Sequence, residues 1–178
     1  MGDIKSTLDL VMEKTRHLTL TPEEREAQNL DQARKKIRGL LQKHQGGRIN
    51  QDQLTRGIDE MEKTMGLSVR GLLVEELLND IDLFRKNEWQ LALLEAVCGI
   101  DTSAITSLCK GFQEAIQTTS QKRIQVLKNS LAQERRIDGS AVVPNVESDK
   151  LWQTEVMAIK ERFDRQLIPE KAKLKHPG

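Results

Sequence analysis

Apolar residues return every three or four positions along nearly all of this 178-residue chain, and that spacing admits little besides α-helix. Between residues 102 and 134 the series Ile105, Leu108, Cys109, Phe112, Ala115, Ile116, Thr119, Val126, Leu127 and Leu131 falls on one face of a single long helix. No long segment alternates apolar with polar as a half-buried strand would. The expected fold is therefore all-α: a multi-helix bundle with one long helix and a C-terminal helix packed near it.

Boundary signals divide the chain into helices. Ile4, Leu8, Val11, Met12 and Thr15 mark the first. Thr21-Pro22-Glu23-Glu24 opens the second with an N-cap, a Pro at the first helical position and a Glu three residues after the cap. Its stripe is Ala27, Leu30, Ala33, Ile37, Leu40, Leu41 and His44, and Gly46-Gly47 stops it. Asn50 can cap the third, with Leu54, Ile58, Met61 and Met65 as its stripe and Ile49 at the corner of a helical hairpin. Gly66 ends that helix. Ser68 can cap a fourth, which the apolar residues Leu72, Leu73, Leu77, Leu78, Ile81 and Phe84 carry as far as position 84.

With Asn87 as a cap, Trp89 to Val97 forms a fifth helix, and these two apolar helices are the expected buried centre. The long helix follows Gly99. Asp138-Gly139-Ser140 and Pro144-Asn145 break the chain. Asp149 caps a last helix with the stripe Trp152, Val156, Ile159, Phe163 and Leu167, which Pro169 should close. The domain plan is one all-α domain over 1–168, in which 102–168 could form an arm, and a disordered tail over 169–178. Arg38-Gly39-Leu40-Leu41 recurs as Arg70-Gly71-Leu72-Leu73, but the similarity ends within a few residues. Gly39, Gly57, Gly71 and Gly111 are better explained as places where helix backbones approach closely.

Composition narrows the function classes. Three Phe, two Trp and no Tyr leave the core to aliphatic residues, and 31% charged residues with a net charge of +1 imply mixed signs on solvated faces. Asp31/Lys35, Asp82/Lys86 and Glu161/Arg165 are acid-first pairs one turn apart. No apolar run reaches the ~18 residues of a membrane span. The first residues carry no secretory signal pattern, so the cytosol is the expected location. Cys98 and Cys109 make no disulfide framework and are expected as reduced core residues. Met1-Gly2-Asp3-Ile4-Lys5-Ser6 fits the loose N-myristoylation pattern, but so short a match is read as the start of a helix.

Chemistry-bearing motifs are missing. His17, His44 and His176 have no Glu three residues before them, so the Glu-x-x-His motifs of di-metal bundles are lacking. The Gly46-Gly47-Arg48-Ile49 corner resembles part of an EF-hand loop, but its liganding positions hold no carboxylates. Phosphate-loop, dinucleotide and nucleophile-elbow signatures are absent. The carboxylates Glu75, Glu76, Asp80 and Asp82 could hold a metal ion or form a solvated helix face. Arg34, Lys35, Lys36, Arg38, Lys43 and Arg48 are the strongest basic patch, yet near-zero net charge and few stacking aromatics argue against nucleic acid as a partner. No cofactor is expected.

The opening Ile4-Lys5-Ser6-Thr7-Leu8-Asp9-Leu10-Val11-Met12-Glu13-Lys14-Thr15 resembles the first helix of a family of uncharacterised bacterial proteins, a domain of unknown function. The resemblance covers that helix alone. It implies a bacterial cytoplasmic protein and brings no site residues.

Two readings of function follow. The first is a helical interaction or scaffold protein that self-associates, because the 105–131 stripe spans ~40 Å while Trp152 to Leu167 covers only ~23 Å of it. Val126, Leu127 and Leu131 are then the expected interface with a second copy or a protein partner. The alternative is a metal-dependent hydrolase using Glu75, Glu76, Asp80 and Asp82, or a helical regulator that binds a ligand or nucleic acid.

Overall fold

The computed structural model describes residues 21–66 and 68–175. The Ile4–Thr15 helix and the Met1–Ser6 pattern lie outside the described residues. The chain is an all-α bundle, 79% helical, with six helices and no strand among the described residues. These are α1 (Pro22–Gln45), α2 (Gln51–Met65), α3 (Val69–Asp80), α4 (Glu88–Ala96), α5 (Ser103–Arg135) and α6 (Lys150–Lys175), with a 3₁₀ turn at Val146–Ser148 before the last. Contacts divide the chain into two compact units, Met1–Leu73 and Val74–Gly178.

In the first unit α1 and α2 form a hairpin. Each begins with a reciprocal capping box: Thr21 N donates to Glu24 Oε2 at 2.8 Å while Glu24 N donates to Thr21 Oγ1 at 3.2 Å. Asn50 and Gln53 exchange the same pair of bonds at 2.9 Å. Ala33, Ile37 and Leu41 of α1 and Leu54, Ile58 and Met61 of α2 are buried, the three-and-four spacing having placed them on one face of each helix. Full burial of such a side chain contributes roughly 1.5–3 kcal/mol. Gly57 admits Leu40, whose Cδ1 would lie 3.2 Å from an added Cβ. Gly66 ends α2 at φ +62°, a left-handed conformation that costs glycine little. At the start of α3 the amide of Arg70 donates to Glu62 Oε1 at 2.9 Å, and its guanidinium pairs with Asp59 at 2.7 Å.

The part of α3 in the second unit buries Val74, Leu77 and Leu78, the last two fully. It stops at Asp80, so Ile81 and Phe84 lie beyond the helix and not within it as their spacing suggested. The reason is Asn87. Its side chain accepts from Asp82 N at 3.1 Å and donates to the carbonyls of Asp82 and Arg85 at 2.8 and 3.2 Å, stapling a turn. For the same reason Asn87 does not cap α4 with its side chain, contrary to the expectation. Gly99, at φ +67°, separates α4 from α5. There Thr102 turns inward to donate to Glu95, and Asp101 Oδ1 accepts from Ser103 N at 2.9 Å.

α5 and α6 form the most extensive helix pairing. Asp149 caps α6 as expected, accepting from Trp152 N at 2.9 Å. Pro169 does not close that helix, and the expected tail is helical through Lys175. The far end is anchored: Leu167 is buried, Lys171 Nζ donates to Ile81 O at 2.7 Å and Lys175 Nζ to Asn79 Oδ1 at 3.0 Å. Those contacts offset the ladder bond that a proline removes.

Candidate functional site

The residues expected at an interface lie at the far end of the α5–α6 hairpin. α6 enters antiparallel to α5 and is held there at two levels. Trp152 Nε1 donates to Ser120 Oγ at 3.0 Å, and Arg123 donates through Nε and Nη2 to Asp149 Oδ1 and Oδ2, both at 2.9 Å. Beyond Arg123, α5 continues to Arg135, a reach of ~18 Å at ~1.5 Å per residue that lies past the start of α6, while the 3₁₀ turn Val146–Ser148 packs against α5. The chain turns back at Arg136, φ 54°, where Ile137 N donates to Leu131 O at 3.1 Å.

Burial falls along the α5 stripe accordingly. Ile105, Cys109 and Phe112 are buried; Leu127 and Leu131 are half-buried; Val126 is 52% exposed. Three further large apolar side chains are exposed at this end: Ile137 at 46%, Val143 at 80% and Leu151 at 59%. Sequence reasoning missed these three because they belong to no periodic stripe. The signal that could have found one of them is the pair Val142-Val143 inside an otherwise polar break.

The four carboxylates of the acidic cluster are not gathered into one group. Among the described residues, no three His, Cys, Asp or Glu side chains are gathered so as to hold an ion. Asp80 Oδ2 accepts from Gln90 Nε2 at 2.8 Å, and Asp82 Oδ1 accepts from Phe84 N at 2.8 Å. Glu76 is buried and Glu75 half-buried. Because α3 ends at Asp80, Asp82 sits in the following turn and the four carboxylates never share a helix face.

The basic patch is spread over α1 and the corner after it. Lys35 pairs with Asp31 at 2.7 Å, and the buried Ile37 interrupts the run of cations.

A second notable region is the turn after α3, where Asn87 Nδ2 also reaches Cys109 Sγ at 3.5 Å. Burial pushes the Cys109 thiol above its ordinary range, with the Asn87 contact and the Lys171 ammonium opposing the shift. The Lys171 amine is likewise pushed down by burial. Phe84, Phe112 and Phe163 join this turn to α5 and α6 edge to face, with centroids 5.1 and 5.7 Å apart. Buried Asn87 and half-buried Lys171 are both spent on contacts that hold the fold.

No family model, curated protein or solved structure matches this chain. Among the described residues, no helix is long and apolar enough to cross a membrane.

Proposed function

We propose that this chain is a helical interaction or scaffold protein that associates with a second copy of itself through the distal end of the α5–α6 hairpin. The observation that carries this reading is the length of α5 beyond Arg123, with Val126, Ile137, Val143 and Leu151 exposed around it. Leu127 and Leu131, one turn apart and half-buried, form the seam against which the same residues of the copy pack. A two-fold pairing suits such a patch, since each chain offers the other the same surface. The likeness of Ile4–Thr15 to a family of bacterial proteins supports a bacterial cytoplasmic setting for the assembly.

Sedimentation equilibrium at micromolar concentration tests the reading. A dimer or higher oligomer is expected, with Leu127→Glu shifting it toward monomer, because a carboxylate in an apolar interface loses its water without gaining a partner. A monomer mass for the unaltered chain, or an oligomer that Leu127→Glu leaves intact, overturns it.

A further inference from the structure

A cavity of about 200 Å³ lies between the turn stapled by Asn87, the first turn of α4 and the first third of α5. Its charge is one-sided: Arg85, Lys86 and Lys110 line it against a single carboxylate, Glu88. Nothing described neutralises these cations well. Arg85 has only a solvated contact with Asp80 at 3.9 Å, a type of pair that contributes little. Neither lysine has an ion pair among the described residues. Thr106 and Gln113 add a hydroxyl and an amide to the same wall. Cys109 and Leu91 supply its apolar side.

The first turn of α4 contributes a further field. Asn87 precedes that helix, but its side chain is spent on the turn, so the leading amides of α4 receive no side-chain cap from it. Uncapped leading amides carry a partial positive charge and favour an anion. The cavity is smaller than the ~300 Å³ at which pockets begin to enclose drug-sized molecules, so a matching ligand is small. Three cations opposed by one carboxylate suit a doubly charged oxyanion.

We propose that this cavity binds a small phosphate-bearing solute, with Arg85, Lys86 and Lys110 as its cationic ligands and Thr106 as a hydroxyl donor. The site lies on the proximal part of α5, away from the distal end assigned to self-association, and does not depend on that assignment. Free phosphate and a short phosphomonoester share this chemistry and are distinguished by affinity. With free phosphate as the ligand, glycerol phosphate binds no better; with a phosphomonoester, glycerol phosphate binds more tightly because its carbon atoms occupy the Leu91 side.

The test is a two-dimensional amide NMR titration of the full chain at constant ionic strength, with inorganic phosphate, glycerol phosphate and, as a control, chloride. Expected are saturable shifts centred on residues 85–91, Thr106, Lys110 and Gln113 with both phosphates and none with chloride. Lys86→Met with Lys110→Met should weaken binding at least tenfold while the remaining spectrum stays dispersed and folded. Both lysines are exposed, so the exchange leaves packing alone, and single variants serve if the double one fails to fold. Shifts that do not saturate, that appear equally around Lys36 and Lys43 on α1, or that persist with unchanged affinity in the variants overturn the proposal.

Discussion

Asp149 offers both carboxylate oxygens to Arg123, each accepting at 2.9 Å, and so ties the entrance of α6 to a point two-thirds of the way along α5. Such a two-pronged contact fixes direction as well as distance. Its Oδ1 also accepts the amide of Trp152. One side chain thereby sets both where α6 starts and which turn of α5 it meets.

That arrangement has a pH signature. The Arg123 guanidinium, and after it the Trp152 amide, hold the Asp149 carboxyl below the usual carboxylate range. Its folded value lies below its unfolded one, so its contribution is complete above the ordinary range and is lost as pH falls through the lowered value. Asp149→Asn should destabilise the chain at neutral pH, and the gap between the two proteins should narrow on acidification. Denaturant melts across that range measure it; a gap independent of pH would contradict the assignment.

Asn87 is the residue whose loss should be felt most in the second unit. It is 5% exposed and serves Asp82 N and two carbonyls. Truncation leaves those groups without partners at a cost of about 2 kcal/mol. Asn87→Ala should lower the denaturation midpoint accordingly. Asn87→Asp should recover little, since a carboxylate cannot donate to the carbonyls of Asp82 and Arg85. Full stability in either variant would sink this account.

Two helical glycines should respond oppositely to added bulk. An added Cβ at Gly39 meets nothing within 4 Å, whereas one at Gly111 would lie 3.3 Å from Phe163 Cε1. Gly39→Ala should therefore stabilise by about 0.5–1 kcal/mol through backbone entropy alone. Gly111→Leu should destabilise by about 1–3 kcal/mol by overpacking. Thermal melts report both, at about 2–4 °C per kcal/mol for a chain of this size. Changes of the same sign would mean that α5 and α6 do not meet at Gly111.

The thiols give a fourth check. Cys109 is 7% exposed and burial raises its thiol, while Cys98 is half-buried. A neutral thiol is a poor nucleophile. Alkylation of the native chain should therefore be slow at Cys109, slower than at Cys98, and fast at both after denaturation. Peptide mass spectrometry resolves the two, and prompt native labelling of Cys109 would place it outside the core.

What could be read from the sequence was local. Thr21 with Glu24, Asn50, Gly66 and Asp149 act within a few residues of themselves, and their roles follow from spacing alone. The end of α3 was illegible because it depends on Asn87 reaching back to Asp82 and Arg85. The passage of α6 through Pro169 depends on partners 90 and 96 residues away. Close approach explains Gly57 and Gly111, which face Leu40 and Phe163, but not Gly39, which faces open space, or Gly71, which faces Ser68 of its own turn. The cavity beside Lys110 was hidden for the same reason: Arg85 and Lys86 sit in a turn whose position a helical period does not encode.

Pro169 also gives α6 a seam. The carbonyl of Arg165 lacks the donor that a continuous helix would supply, so the six residues after the proline take less support from those before it. Their attachment runs sideways, through two ammonium groups to the end of α3. The C-terminal turn is therefore expected to open from Asn79 and Ile81 more readily than the 150–165 rod unwinds, which hydrogen exchange would register as lower protection after Pro169. In hydrogen exchange it belongs with the turn after α3 and not with the helix that bears its name.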